Sequence, residues 1–522
     1  MCGVAIRWLF AGTTALAAPM LLTSCAVGPD FVQPAAPEIT RYTREPLPAR
    51  TASADTASGA SQKLSENRDI PEDWWRLFKS SELDALIKQS LQNSPNLQSA
   101  LATLQAAKEA VAAQQGKFLP FVQASFNPTQ QRTSTVLSPV PASGANFFAL
   151  DTAQLTVAYT FDIWGLNRRT VESLQALADV QQFQVEAAYL TLTSNLVVAA
   201  VTEASLRAQI DATVQIIAVN TQMRDTLKRQ LDAGYANRSD LAAQEASLAQ
   251  ARATLPPLRK ALELERDLIA ALAGAYASQG AEPLFRLAEL HLPADLPISV
   301  PSALIEQRPD IRAAEEQLHS ASAQIGVATA NMLPNITISA DAGFMNTALA
   351  HLLAPQNLFW ELGGTATQTV FDAGTLYHQL QGAKDTYQAA AWTYRGTVIG
   401  AVQNVADTLR ALETDTDGLR AASDFERAAK ISFDLARQQM QTGNANVLLL
   451  LNAQQNYLQA VIQVIQARAA RLTDTAALFA ALGGGWWNST EPLPKENLDV
   501  GTGQTEAPAA ADPPAGGNDN LQ

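Results

Sequence analysis

The 522-residue chain has little of the chemistry on which enzymes and metal-binding proteins depend. Its four histidines, His291, His319, His351 and His378, lie far apart, and none has the spacing of a metal-ligand pair. The sequence has no nucleotide-binding glycine-rich loop followed by lysine, no HExxH sequence and no GxSxG sequence. We therefore expect no enzymatic activity, no catalytic residue, no metal site and no bound cofactor.

Aromatic residues and basic clusters are also scarce. Only 7% of the residues are aromatic although 47% are apolar, so alanine, leucine and valine supply most of the apolar side chains. Side chains of this size favour long helices that pack closely together. The formal net charge is −14, and lysine and arginine are scattered, which argues against a nucleic-acid partner.

Cysteine is nearly absent, and both copies lie at the start of the chain. Cys2 belongs to residues 1–24, where one arginine precedes an apolar stretch that ends in small residues, the pattern of a secretory signal peptide. The stretch is too short and too interrupted for a transmembrane helix. Once this signal is removed the chain keeps one cysteine, so no internal disulfide is expected.

The remaining cysteine, Cys25, follows Leu-Thr-Ser, and this sequence resembles a bacterial lipobox. In a lipobox the cysteine is acylated and becomes the first residue of the mature protein, so we expect a covalent lipid on Cys25. Ordinary cleavage nearby, which would leave a free thiol, is the alternative. Because Ala26 rather than aspartate follows, analogy with bacterial lipoproteins favours sorting to the outer membrane.

The sequence repeats itself, and a repeat sets the organisation of a whole chain. SPNLQSALATLQ from Ser94 and RPDIRAAEEQLH from Arg308 align without a gap as far as Leu119-Pro120 and Leu333-Pro334. TFDIWG then matches VFDAG, and QLDAG matches QMQTG, in the same order. We therefore predict an internal two-fold duplication of a helix, hairpin, long helix and return helix.

This duplication divides the chain into segments. They are a signal peptide at 1–24, a lipid-anchored extended linker at 25–70, a first repeat at 71–274, an insertion at 275–300, a second repeat at 301–484, and an end segment with a disordered tail at 485–522.

Each repeat contains two strand candidates, in hairpins at about 120–162 and about 334–372. Apolar residues alternate with small polar ones, as in VQASFN at 122–127 and ITISAD at 336–341. Strands of about ten residues with this alternation are the weak signature of a transmembrane β-barrel. A soluble sheet with one wet face is the alternative.

Each hairpin precedes a very long helical pattern without proline, at about 165–233 and about 375–442. Such a helix is about 100 Å long, so the pattern predicts a coiled-coil-like tube or rod. The patterns end in turns at Gly234 and Gly443.

A return helix is predicted after each turn, at about 238–274 and about 446–482. Asn237 or Ser239 has the right side chain to cap the first return helix, and Asn446 to cap the second.

Four strands cannot cross a bilayer alone, because their two sheet edges would expose unpaired backbone groups to hydrocarbon at several kcal/mol each. Two copies would give about eight strands, whose interior is filled by side chains, whereas three give about twelve and leave a bore. Small polar residues at the inward positions fit a water-filled bore: Ser125, Thr156, Thr160, Thr337 and Ser339. We therefore predict an α+β membrane protein, a homotrimer whose 12-stranded transmembrane β-barrel, with four strands per chain, continues as a long α-helical barrel.

Taken in order, these pieces make the chain resemble the TolC-like outer-membrane factor family, in particular the lipoprotein branch that serves tripartite multidrug efflux pumps of RND type. The matching stretches span residues 25–487: CAVGPDFVQP, DWWRLFKSSELDALIKQSL, the SPNL and RPDI repeats, FDIWG, VFDAG, LNAQQNYLQA and ALGGGWW. The resemblance implies a trimer in the bacterial outer membrane that extends into the periplasm. It also implies a mixed equatorial domain midway along the helical barrel, formed by the linker, residues 275–300 and the end segment.

The resemblance further implies a passive conduit for drugs or other small molecules. An inner-membrane RND-type transporter would drive export through a periplasmic membrane-fusion adaptor, and the outer-membrane lipid would surround the barrel. A type I protein-secretion channel shares this architecture and is the main alternative. A lipid-anchored periplasmic coiled-coil scaffold is a further alternative, although a scaffold would not need the duplicated hairpins.

In the family, the helix turns form a periplasmic tip that closes the pore and receives the adaptor. The residues that would form this tip are Gly234, Asn237, Asp240, Gly443, Asn446, Leu448, Leu449 and Asn452. The tips of relatives often carry acidic side chains, but the aligned positions here are Ala445, Leu449 and Asn452. We therefore expect an apolar, amide-lined closing ring that is less selective for cations and less sensitive to divalent blockers than an acidic one. The alternative is that the leucines pack the seam between helices and that Asp240 only stabilises a helix N-terminus.

Two tryptophans, Trp164 and Trp360, flank the predicted strands. We expect them to mark the two rims of the barrel, because amphipathic rings settle at membrane–water interfaces.

Overall fold

The computed structural model describes residues 26–66, 68–132, 134, 146–279, 285–442 and 447–489. The helices are α1 Ser81–Asn93, α2 Pro95–Gln115, α3 Leu166–Asp232, α4 Arg238–Ala253, α5 Leu255–Leu272, α6 Leu304–Gln307, α7 Pro309–Ala330, α8 Thr375–Gln441 and α9 Val447–Ala481. The strands are β1 Lys63–Glu66, β2 Phe121–Arg132, β3 Phe147–Phe161, β4 Asp295–Ile298, β5 Asn335–Asn346 and β6 Leu358–Thr367. The predicted signal peptide, Cys25 and the predicted tail beyond residue 489 lie outside the described residues.

The long helices α3 and α8 begin in the same way, and each contains 67 residues. The Asp162 carboxylate accepts two backbone N–H groups from the first turn of α3, at 2.8 and 3.0 Å. Asp372 accepts the backbone N–H groups of Gly374, just before α8, and of Leu376 in its first turn, at 2.9 and 2.7 Å. Gly165 and Gly374 take positive φ angles of 80° and 88° where each strand turns into its helix. The FDIWG and VFDAG motifs are therefore helix-start devices that satisfy otherwise unpaired N–H groups.

The first return segment differs from the single helix that the sequence predicts over 238–274. It consists of α4 and α5, which meet at Thr254. Pro256 and Pro257 occupy the first turn of α5, and because proline has no backbone N–H it cannot continue the hydrogen-bond ladder of a preceding helix. The second return segment contains no proline, and α9 is continuous over Val447–Ala481.

The largest hydrophobic core lies midway along the long helices and joins distant parts of the chain. Trp74, Trp75 and Phe78 from the N-terminal segment are buried there with Phe479 of α9. The rings of Trp74 and Phe479 stack with centroids 5.3 Å apart. Beside this core, β1 and β4 form a two-stranded parallel sheet. The N-terminal segment, the segment between the repeats and the end of α9 thus pack together against α3 and α8.

The other four strands form an antiparallel sheet in the order β2-β3-β5-β6. The central pair, β3 and β5, comes from different repeats, with Ala158 opposite Ser339 and Thr160 opposite Thr337. In the described chain, β2 and β6 have no partner on their outer edges. Since α3 follows β3 and α8 follows β6, the sheet caps one end of the long helices.

Candidate pore wall and tip

The four-stranded sheet has one apolar face that is continuous across all four strands. The register places Val122 opposite Val157, and Ala342 opposite both Leu155 and Trp360. The members of this apolar face are Val122, Ala124, Phe126, Leu155, Val157, Tyr159, Ile338, Ala340, Ala342, Phe344, Leu358, Trp360 and Leu362. Several are open to the surroundings, with exposures of 47% for Leu155, 40% for Ile338 and 68% for Leu362. An exposed apolar face of this extent indicates contact with lipid or with another protein surface.

The opposite face of the sheet is polar and hydrogen-bonded. Thr156 donates to Asp341, and the Gln154 amide nitrogen lies 3.3 Å from the Thr156 hydroxyl and 3.5 Å from the Asp341 carboxylate. The hydroxyls of Thr160 and Thr337 are 2.9 Å apart. These side chains can also form hydrogen bonds with water, so this face suits a water-filled bore.

The sequence pattern missed one member of the polar face, Glu361. It lies directly opposite Asp341 in the register of β5 and β6. The fourth strand contains Gly363 and Gly364, which blur the alternation that would have assigned Glu361 to this face. Two carboxylates side by side give the predicted bore a local negative charge.

The two tryptophans predicted at the rims lie at different heights of the sheet. Trp164 follows β3 at the end next to the helices, and its indole N–H donates to the Pro334 carbonyl at 2.8 Å. Trp360 is the third residue of β6 and is 76% exposed. It lies in the same row as Ala342 and Leu155, and β3 extends beyond this row to Phe147. Their placement at the membrane interfaces stays a prediction.

At the other end of the long helices, the first turn is shaped by Gly234 and Asn237. Gly234 has a φ of +76°, a conformation that side-chain-bearing residues rarely adopt. The Asn237 side chain accepts the backbone N–H of Asp240 at 2.9 Å and so caps α4, while Ser239 donates to Asn237 at 2.6 Å. Asp240 lies in the first turn of α4, where its charge favours the helix N-terminus.

The second turn lies partly outside the described residues, which exclude Gly443 and Asn446. The leucine run that follows is divided between two environments. Leu450 is fully buried and packs with Phe433, whereas Leu448 and Leu449 are 62% and 47% exposed. Asn452, one helical turn beyond Leu448, is also exposed.

Two carboxyl groups beside the central core have strongly raised pKa values. Burial raises the pKa of Asp415 to about 7, and the neighbouring Asp474 adds to the effect. Burial and the charge of Glu72 likewise raise the pKa of Glu186 to about 7. Among the residues that the structure describes, no group of three or more histidine, cysteine or acidic side chains is arranged to hold a metal ion.

Comparison with known proteins agrees with this architecture. The family described as outer membrane efflux protein matches residues 86–275 and again 300–484. The toluene efflux pump outer membrane protein TtgC of Pseudomonas putida is 27% identical over 472 residues, which cover 90% of this chain and 94% of that protein. The pyoverdine export outer membrane protein OpmQ of Pseudomonas putida is 27% identical over 448 residues, 84% of this chain and 94% of that protein.

A solved structure of the outer-membrane channel OprN superposes with a TM-score of 0.78 at 25% sequence identity, covering 88% of this chain and all of that one. The shared fold is that of TolC-like outer-membrane channels, with a helical barrel and sheets. The chain therefore belongs to the outer membrane efflux protein family, and it is an outer-membrane efflux channel that extends into the periplasm.

Proposed function

We propose that three copies of this chain form a passive conduit, a 12-stranded transmembrane β-barrel continued by an α-helical barrel, which exports drugs or other small molecules. The observation that carries the proposal is the four-stranded sheet with one apolar face, one polar face and two open edges. In hydrocarbon the open edges of β2 and β6 would leave backbone groups unpaired, so a membrane sheet must close through further copies. Three copies supply about twelve strands, enough for a water-filled bore lined by the polar face.

We also propose that the chain arose by internal duplication. The family model matches twice in tandem, and α3 and α8 have equal lengths and the same aspartate–glycine start. In a trimer of duplicated chains the helical wall would enclose the bore evenly, because each chain contributes two similar units.

For partners, we propose a periplasmic membrane-fusion adaptor and an inner-membrane RND-type transporter. The support comes from the relatives, which are named as outer-membrane components of efflux pumps and exporters. Their named cargoes, toluene and pyoverdine, are small molecules, which favours small-molecule efflux over type I protein secretion. The conduit itself would carry out no chemical reaction, since transport through a bore requires none.

The tip residues would form the closed end of this conduit. Leu448, Leu449 and Asn452 are exposed at the described start of α9, and three copies would bring them together around the axis with the turns at Gly234 and Gly443. These three positions are apolar or amide-bearing, so they would add no fixed charge to the ring, and Asp240 would be the acidic residue at the neighbouring turn.

The first test is the mass and shape of the detergent-extracted mature protein, by light scattering and class-averaged electron microscopy. We expect a three-fold particle well over 100 Å long with an axial bore, since a 67-residue helix alone spans about 100 Å. A soluble rod or a monomer would remove the barrel and with it the transport function, and a lipid-anchored scaffold would take its place.

A further inference from the structure

The residues directly after Cys25 pack in a groove against α3 and α7. We name Ala26–Phe31 the anchor strap. It runs across the start of α3 and along α7, and its first hydrogen bond joins the Val27 N–H to the Trp164 carbonyl at 3.0 Å. That contact places the beginning of the strap where β3 turns into α3.

A single buried arginine binds the strap. Arg169 of α3 is only 5% exposed, and its guanidinium donates to the carbonyl of Val27 at 3.1 Å and the carbonyl of Gly28 at 3.5 Å. It also binds the Asp30 carboxylate at 2.7 Å. Since Asp30 is itself 92% exposed, this ion pair contributes little on its own, and the two carbonyl contacts add to it.

Glycines make the groove deep enough for backbone contact. Gly28 has a φ of +96° and lies against Gly326 of α7, where an added Cβ would approach the Gly326 Cα to 2.4 Å. A Cβ on Gly326 would meet the Arg169 side chain at 2.8 Å and the Val27 carbonyl oxygen at 2.9 Å. Gly165 leaves room for Ala26 in the same way. Larger side chains at these positions would push the strap out of its groove.

The far end of the strap is fixed by an aromatic contact. Phe31 stacks on His319 of α7 with ring centroids 4.4 Å apart. The two ring nitrogens of His319 lie 3.1 Å from the Glu316 carboxylate and 3.2 Å from that of Glu172. Glu172 also pairs with Arg169 at 2.7 Å, so one network connects both ends of the strap.

We propose that Arg169 is a positioning residue for the lipid anchor. Together with Gly165, Gly326 and His319 it holds the anchor strap in place. The lipid on Cys25 would then enter the bilayer at a fixed point, at the helix-side end of the sheet. The proposal rests on the proposed acylation of Cys25 and the proposed membrane sheet. Ala26, the residue that directly follows Cys25 in the sequence, contacts Gly165 beside Trp164. The lipid would then be attached at a fixed height, next to the end of the apolar face of the sheet.

The experiment uses a spin label on the strap of the full-length, acylated protein in proteoliposomes. A Pro29→Cys substitution supplies a labelling site on an exposed residue, and acylated Cys25 cannot react with the label. We expect a motionally restricted nitroxide at interfacial depth, measured by its relative accessibility to oxygen and to a water-soluble nickel chelate. Arg169→Gln should increase nitroxide mobility several-fold and widen its depth distribution, while acylation, measured by mass spectrometry, stays complete.

Two further variants keep the test decisive. Arg224→Gln removes the same charge from the other end of α3, where the side chain pairs with Asp225, so the nitroxide should remain restricted. Asp30→Ala changes only an exposed strap residue and should give a smaller increase in mobility even if Arg169→Gln does not fold. A nitroxide that is mobile in the parent protein, or equally restricted in the parent, in Arg169→Gln and in Asp30→Ala, would overturn the proposal. If Cys25 instead takes up a second label, the acylation is wrong while the docking of the strap is still measured.

Discussion

Arg471 shows how one buried charge can hold distant parts of this chain together. Its side chain is fully buried in α9, and its guanidinium donates to the carbonyls of Ser58 at 2.6 Å and Ala60 at 2.7 Å. Thr51 accepts from the same group at 3.3 Å. Because a buried cation without such acceptors is very costly, the N-terminal segment stays tied to the middle of α9.

The neighbouring pair Asp415 and Asp474 should make stability depend on pH. The folded-state pKa of Asp415 is raised from 3.8 to about 7, so between these pH values the folded protein holds a proton that the unfolded chain releases. The stabilisation is therefore fully present below about pH 4 and lost progressively as the pH rises to about 7. We expect Asp415→Asn, which cannot ionise, to raise the thermal midpoint by a few degrees at about pH 8 and to change it little at about pH 4.

The matched control is Asp417→Asn on the same helix, because Asp417 is 67% exposed and pairs only loosely with Arg420 at 3.6 Å. It should leave the pH dependence of the thermal midpoint as it is in the parent protein. Equal midpoints for the parent and Asp415→Asn at the alkaline pH would show that Asp415 is not proton-linked.

Asn452 offers a residue-level test of the proposed closing ring. Asn452→Asp would add one carboxylate per chain on the exposed face of α9, and in a trimer these charges would face the axis. We expect the cation-to-anion permeability ratio of the opened channel to rise and block by divalent cations to appear, measured in planar bilayers. Asn452→Gln keeps the amide and should behave like the parent. Unchanged selectivity in Asn452→Asp would mean that this position does not line the ring.

At the level of secondary-structure elements, adjacent residues of β5 face opposite sides of the sheet. Ile338→Arg would place a charge on the apolar face, whereas Ser339→Arg would place the same charge on the polar face. The first change should cost about 2–4 kcal/mol if the position is near the bilayer midplane and should reduce the amount of assembled channel in the outer membrane. The second should insert normally and shift permeability toward anions. Equal insertion of both variants would contradict the assignment of the faces.

Much of this level could be predicted from the sequence because it depends on local periodicity. The period-2 alternation predicts the strands, and the register between β3 and β5 agrees with it residue by residue. The prediction of one helix over 238–274 was wrong, although Pro256 and Pro257 are explicit helix breakers just after Thr254. Two repeats of similar length need not have helix breaks at corresponding positions.

Long-range contacts could not be predicted in this way. The hydrogen bonds between Arg169 and the anchor strap join residues more than a hundred positions apart. The local sequence pattern around Arg169 or around the strap does not predict them. The available signal was the Arg168-Arg169 pair in the first turn of α3, where acidic side chains are otherwise favoured. Its position against the helix dipole indicates that a specific partner is required.

At the level of the whole molecule, two devices would hold the channel in the membrane, the lipid and the barrel. We expect a Cys25→Ala chain, exported with a conventional signal peptide, to remain in the outer-membrane fraction after alkaline carbonate washing, because the apolar face of the sheet is sufficient for retention. The acylated parent is the reference. Release of the unacylated chain as a soluble monomer would show that the lipid alone anchors it and that no barrel forms.

The equal lengths of α3 and α8, 67 residues each, have a consequence for how such a protein can change in size. If seven residues were inserted into α3 alone, its turn would extend about 10 Å beyond the turn of α8, and the closing ring would be staggered. Lengthening the tube to bridge a wider periplasm therefore requires matched insertions in both repeats. The length of the channel is therefore set by both repeats together, and neither repeat can be lengthened alone.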